Sequence, residues 1–226
     1  MSGKTVLVVA AHPDDEILGC GGSIARHLDE GDAVHVVFLA DGIGAREPDD
    51  EPQAREEREM AARSAAKLLG VDSLDFLNHP DNRLDTVALL DLVKPIEQRV
   101  EQLKPSTVYT HHPGDLNVDH RRTCEATLTA CRPQPGTPVL RILFFEVLSS
   151  TEWSNGLGGG FRPNWYVGIE SQLDRKLKAL ECYALEMRES PHPRSGPAVE
   201  ALARLRGSAC GLKAAEAFVL HREINL

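Results

Sequence analysis

The 226-residue sequence is short of the features that mark several protein classes. No apolar run reaches the ~18 residues that a membrane-spanning helix needs. The chain passes from Met1-Ser2-Gly3-Lys4 straight into Thr5-Val6-Leu7-Val8-Val9-Ala10, without the pattern of a cleaved signal peptide. A cytoplasmic protein with no integral membrane segment is the expectation. Basic residues are too few for a broad nucleic-acid or anionic-membrane surface: 25 Lys and Arg face 34 Asp and Glu, a net charge of −9. That balance still leaves room for a small anion held by a few arginines. The five cysteines, Cys20, Cys124, Cys131, Cys182 and Cys210, are odd in number, widely spaced and without a C-x-x-C pair. They read as reduced thiols and give no support to a cysteine zinc site. Gly19, Gly21 and Gly22 lack the G-x-G-x-x-G spacing, and no Walker lysine follows, so a dinucleotide or NTP site is poorly supported. Their expected role is close backbone packing.

What is present reads as one folded domain. Hydrophobic residues make up 42% and charged residues 26%, an ordinary globular balance. Strand and helix signals alternate. Residues 5–10 form a continuous β-branched run, as a strand covered on both faces should. Residues 17–30 predict a helix, 33–40 a second strand and 51–69 a helix stopped by Gly70. Residues 74–77 predict a third strand and 86–103 an amphipathic helix with a kink or break at Pro95. Residues 107–110 and 142–147 predict strands four and five around a helix at 119–131. This order specifies an α/β fold: a Rossmann-like, mostly parallel sheet with helices on both faces. After about residue 148 the pattern changes to a glycine-rich loop at 154–160 and helices at 172–188 and 198–207. The expected organisation is a single domain, with a core at 1–148 and a C-terminal extension at 149–226 packing on it.

Two segments carry the chemistry. Ala11-His12-Pro13-Asp14-Asp15-Glu16 follows the first strand, and His111-His112-Pro113-Gly114-Asp115-Leu116-Asn117-Val118-Asp119-His120-Arg121 follows the fourth. Parallel strands deliver both to the sheet edge where ligands bind in such folds. Two imidazoles and one carboxylate suit a borderline divalent ion such as zinc, with a coordination position left for water. One acid of the Asp14-Asp15 pair can bind the ion, which leaves its neighbour available as a general base. Each feature also has a plain structural reading: acids in a first helical turn complement the helix dipole, Asn117 can be an N-cap, and a single histidine is often a surface residue.

The sequence A-H-P-D-D-E, followed by Leu18-Gly19-Cys20-Gly21-Gly22 and a later D-H-R, resembles the PIG-L/LmbE-like zinc-dependent N-acetylglucosaminyl deacetylases across residues 4–147. The resemblance implies a Rossmann-like fold and removal of an N-acetyl group from an amino sugar or sugar conjugate. It implies metal ligands at His12, Asp15 and His120, with Asp14 as general base. Zinc is the implied ion, with Fe2+ as another divalent choice, and the substrate is a small amino sugar. It also hints at a homo-oligomer. One departure stands out. Many members carry H-x-D-H, whose first histidine serves the leaving amine or the oxyanion, whereas this chain has Asn117-Val118-Asp119-His120. As a catalytic candidate Asn117 can donate an amide hydrogen bond to an oxyanion, or position substrate, but it cannot supply a proton as an imidazolium would. The acid role then falls to Asp14 after it has taken a proton, or to His111 or His112.

The remaining candidates follow from position. Arg58 lies at about the family spacing for an arginine that contacts substrate or oxyanion, with Arg55 and Arg46 as alternatives. Asp81 and Arg83, after the third strand, reach the same edge and can bind sugar hydroxyls or phosphate, or form a turn. His192, in the stiff Pro191-His192-Pro193-Arg194-Ser195 stretch, is a substrate-facing candidate or part of a turn. Asp115 and Asp119 can orient ligand imidazoles. Two rival readings remain: a non-haem iron enzyme using the same two-histidine, one-carboxylate set, and a non-catalytic sugar- or metal-binding member of the fold.

Overall fold

Alternate residues along the first strands divide between two cores, and this period of two builds the architecture. In the computed structural model, which describes residues 3–44 and 51–225, β1 (Thr5–Ala10) sends Val6, Val8 and Ala10 to one face and Leu7 and Val9 to the other. β2 (Ala33–Ala40) repeats this with Val34, Val36 and Phe38 against Val37 and Leu39. Helices α1 (Asp15–Asp29), α2 (Glu51–Leu69) and α5 (Leu173–Glu181) cover the first face. α3 (Leu89–Leu103) and α4 (Val118–Ala130) cover the second.

The seven strands run in the order β3-β2-β1-β4-β5-β7-β6. β3 is Ser73–His79, β4 Thr107–His111 and β5 Arg141–Phe145. These five strands pair in parallel. Chain order reverses direction at β1, which pairs with β2 on one side and β4 on the other. This is the switch point at which the carboxyl ends of two neighbouring strands open a crevice. The site described below is built there.

Several sequence expectations needed correction. α3 runs through Pro95 as one helix. The break falls earlier, at Val87 and Ala88, whose extended backbone separates a 3-10 turn at Leu84–Thr86 from α3. Proline forfeits one backbone hydrogen bond, and burial of Leu92, Val93, Ile96 and Val100 on the same helix offsets that loss. The helix expected at 172–188 stops at Glu181, and Tyr183 then turns into the core. The segment after residue 148 holds two strands that the sequence reading did not anticipate. β6 (Trp165–Gly168) and β7 (Ala215–Glu223) add to β5 in antiparallel fashion and complete the sheet. α6 (Gly196–Ser208) lies between them in sequence, capped by the Ser195 hydroxyl, which accepts from Ala198 N. Among the described residues, no helix is long and apolar enough to cross a membrane.

α1 packs unusually close to the sheet. A Cβ at Gly19 would stand 2.4 Å from Phe145 Cδ2, and one at Gly22 2.7 Å from Ile169 Cδ1. Phe145 is fully buried and has no room to yield. Gly19→Ala is therefore expected to destabilise the fold by about 1–3 kcal/mol, the usual cost of overpacking a core. Urea unfolding monitored by circular dichroism measures this, and an unchanged midpoint would refute the tight packing.

Candidate metal centre

The crevice brings together groups that lie far apart in sequence. His12 leaves β1 after two residues, Asp15 opens α1, and His120 lies in the first turn of α4. One ligand atom from each of these three residues lies within 4.8 Å of the others, and all three side chains are buried. The outer nitrogen of each imidazole is taken by carboxylates. His12 Nε2 lies 3.0 Å from Asp81 Oδ1 and 3.1 Å from Asp119 Oδ2, and His120 Nδ1 lies 3.1 Å from Asp115 Oδ1. A proton on each outer nitrogen leaves the inner one as a lone-pair donor. These inner atoms, His12 Nδ1 and His120 Nε2, stand 3.2 and 3.3 Å from Asp15 Oδ2.

Two buried atoms in this group have no hydrogen-bond partner: Asp15 Oδ1 and His120 Nε2, the latter close to Asp15 but not aligned for a bond. Both are atoms that a cation would engage. The electrostatics make the same demand. Burial works against charge on His120, yet Asp15 and Asp115 outweigh it and lift the imidazole to about 9. Burial likewise opposes charge on Asp15, but His120 and His12 hold its carboxyl well below the usual carboxylate range. The cluster is built to hold positive charge. A divalent ion on two imidazoles and a carboxylate meets that demand without the protons.

Asp14 faces elsewhere. Its φ of 127° lies in the left-handed half of backbone space, rare for a non-glycine residue and costing about 1–3 kcal/mol. It occupies the N-cap position of α1, but its side chain makes no capping bond. Instead Asp14 Oδ2 accepts from Arg194 Nη1 at 2.9 Å, and Oδ1 lies 3.4 Å from Arg58 Nη2. Both guanidinium groups also pair with Glu186. Burial pushes the Asp14 carboxyl up to about 6, against the pull of Arg194 and Arg58. Its main-chain N–H donates to Glu16 Oε2 at 3.0 Å, and Tyr183 donates to Glu16 Oε1 at 2.5 Å.

The other candidates fall in different places. Of the three arginines weighed from sequence, Arg58 is buried at Asp14, whereas Arg55 is half-exposed on Asp41 and Arg46 lies outside the described residues. Asp81 lies against His12. Arg83, two residues on, is exposed. His192 is half-buried, and its Nδ1 accepts the Arg194 N–H at 3.0 Å, which shapes the turn that carries Arg194. Asn117 caps α4: its amide oxygen accepts from Asp119 N at 2.8 Å. His111 is fully buried and stacked on His120 with ring centroids 3.9 Å apart, and its Nε2 accepts from Ala11 N at 2.8 Å. Burial holds His111 well below the usual imidazole range, so it is neutral. His112 Nδ1 accepts from Gly114 N, and its ring packs on Phe144 and Phe161. Sequence reasoning missed Arg194 and Glu186 around Asp14, Tyr183 on Glu16, and Ser150 and Thr151, whose hydroxyls donate to Asp115. The one available signal was the polar, proline-stiffened stretch around Arg194.

A buried His/Asp cluster at the switch point of a mostly parallel sheet places the chain among α/β proteins with a metal-binding site. Within that class it belongs to the PIG-L family, described as GlcNAc-PI de-N-acetylase, which matches residues 7–131. YaiS of Escherichia coli K12, named an uncharacterized deacetylase, is 32% identical over 184 residues, covering 79% of this chain and 89% of its own. The 4-oxalmesaconate hydratase of Pseudomonas putida KT2440 is 30% identical over 202 residues, covering 80% of this chain and 73% of its own. N,N'-diacetylchitobiose deacetylase from Pyrococcus horikoshii, at 22% identity, shares the fold with a TM-score of 0.79 over 97% of this chain and 84% of that one.

The carboxylates behind the imidazoles give a direct test of the centre. Asp115→Ala removes the acceptor that fixes His120, and divalent-metal affinity is expected to fall about 10- to 100-fold. Competition with a chromophoric chelator measures it, and wild-type affinity in that variant would show that Asp115 does not orient a ligand.

Proposed function

We propose that the protein is a zinc-dependent amide hydrolase that removes the N-acetyl group of an amino sugar or sugar conjugate of the N-acetylglucosamine type. The observation that carries this reading is the division of labour between two adjacent aspartates. Asp15 points into a pair of inward-facing imidazole nitrogens, while Asp14 is turned away from them and held by two arginines. One acid is thus suited to hold an ion, and the other is left to move a proton.

His12 through Nδ1, His120 through Nε2 and Asp15 would hold the ion. Zinc bound there supplies Lewis acidity for the acetyl carbonyl and lowers the pKa of water to about 7. Asp14 takes the proton from the attacking water, and the nearby Arg58 and Arg194 stabilise the anionic carboxylate before that transfer. Once protonated, Asp14 returns the proton to the leaving nitrogen, so that acetate and a free amine result. Arg58 also offers a fixed cation beside the reacting amide for charge developing on its oxygen. Asn117, with its amide oxygen engaged at the α4 cap, contributes by fixing the turn that carries His120.

The identity to a hydratase favours a second reading, in which the same centre adds water across a carbon–carbon double bond conjugated to a carboxylate. Asp14 keeps its base role there, and the arginines would face the substrate anion. One panel separates the two. Free amine released from N-acetyl sugars is followed with an amine-reactive fluorophore, and loss of conjugated absorbance from unsaturated dicarboxylates is followed in parallel. Amine release that chelator abolishes and zinc restores is the expected result. Loss of absorbance without amine release would replace the first reading with the second, and ferrous-dependent oxygen consumption would replace both. In the active assay Asp14→Asn is expected to bind metal normally and to lose about 10²- to 10⁴-fold in turnover, the usual range for a general base. Near-normal turnover of the metal-loaded variant would remove Asp14 from that role.

A further inference from the structure

Beyond the metal centre, the molecule buries a second ion pair that the proposed reaction does not use. Lys176 of α5 and Glu216 of β7 are 3% and 5% exposed, and Lys176 Nζ lies 2.6 Å from Glu216 Oε1. Both ends of the pair reach the backbone of α1. Lys176 Nζ donates to Leu18 O at 2.9 Å. Glu216 accepts from Gly22 N at 2.8 Å and from Ser23 N at 2.7 Å. In an unbroken α-helix the N–H of residue 22 pairs with the carbonyl of residue 18. Here each of these two groups has a charged partner from another element. Between them α1 departs from helical geometry, with Cys20 at φ −145° and ψ 21°.

We propose that the Lys176–Glu216 pair is a positioning device. It splints α1 open at Cys20 and thereby sets where Asp14 and Asp15 stand. The signs match the two half-helices: the cation meets the carboxyl end of the first, and the anion meets the amino end of the second. The glycines belong to the same device. Gly21 packs beside Ile17, whose Cγ2 would stand 3.0 Å from an added Cβ, while Gly19 and Gly22 let the two halves seat against Phe145 and Ile169. The first half, ahead of the break, is little more than one turn, and it begins at Asp15. A change in its axis therefore moves the carboxylate of Asp15 relative to His120, which rides on a different helix. A buried ion pair adds little net stability compared with an apolar pair of the same size, so its value lies in geometry.

This inference rests on the reading of Asp15 as a metal ligand, and the test keeps the two apart. The double variant Lys176→Met/Glu216→Leu removes both charges and frees Leu18 O and Gly22 N to pair as in a continuous helix. The variant Glu216→Gln keeps the shape and removes one charge. The variant Arg141→Met/Glu223→Gln removes an ion pair linking β5 to β7 and serves as the control. Zinc affinity is measured by chelator competition and thermal stability by circular dichroism. The double variant is expected to lose about tenfold or more in zinc affinity, the scale seen when a ligand's support is removed, with a melting temperature close to that of the control. Glu216→Gln is expected to move affinity in the same direction, and it decides the matter if the double variant does not fold. Wild-type affinity in Glu216→Gln and in any folded double variant overturns the positioning role alone. Affinity that falls only in step with melting temperature, in the control as well, also overturns it. A wild-type protein that takes up no zinc overturns the metal reading and this inference with it.

Discussion

The structure depends on a single electrostatic problem: a carboxylate, Asp15, with no exposure to solvent, set between imidazoles. An unpaired buried charge is so costly that a protein normally neutralises it or gives it a counter-charge. Here the counter-charge is supplied in layers. His12 and His120 face Asp15, and Asp81, Asp119 and Asp115 stand behind them. Those outer acids are themselves anchored. Asp119 accepts from Asn82 N and Leu84 N, and Asp115 accepts from Ser150 and Thr151. The loops after β1, β3, β4 and β5 are thereby tied to one point. That point is where an ion held by His12, Asp15 and His120 would sit in the proposed reaction.

The same constraint explains why adjacent aspartates part company. A regular turn into α1 would direct Asp14 and Asp15 by ordinary helical spacing. The backbone at Asp14 instead adopts φ 127°, and its main-chain N–H is held by Glu16, which in turn receives the Tyr183 hydroxyl. The strain is sustained because the surroundings fix it from several sides. Asp14 emerges among Arg58, Arg194 and Glu186, a set with two positive and two negative groups counting Asp14 itself. This local balance keeps a buried acid close to the arginines without leaving either sign unmatched.

Much of this was legible in the sequence because it depended on local pattern. β-branched runs at 5–10 and 33–40 marked strands covered on both faces, and the order of strands and helices brought the ends of β1 and β4 together. The motif around His12 and the one around His120 could therefore be joined across more than a hundred residues. What stayed hidden depended on long-range packing. β6 is four residues long, and it forms because β7 offers an antiparallel edge. Arg194 reaches Asp14 through a turn whose course no period in the sequence encodes, and residue spacing alone could not reveal that Asp81 backs His12. The glycines after Leu18 did announce close packing, but not the ion pair beside them.

Asn117 shows how a change at one residue redistributes roles. A histidine at this position could carry a proton, whereas the asparagine caps a helix: its oxygen holds Asp119 N, and its own N–H donates to Asp115 Oδ1 at 2.9 Å. Residue 117 thereby connects the two acids that back the two imidazoles, since Asp119 stands behind His12 and Asp115 behind His120. Its contribution is rigidity of the cluster. Proton movement in the proposed reaction then concentrates on Asp14, whose burial already lifts its carboxyl towards neutrality. In the proposed reaction Asp14 serves as base and then as acid, and Arg58 and Arg194 fix its position.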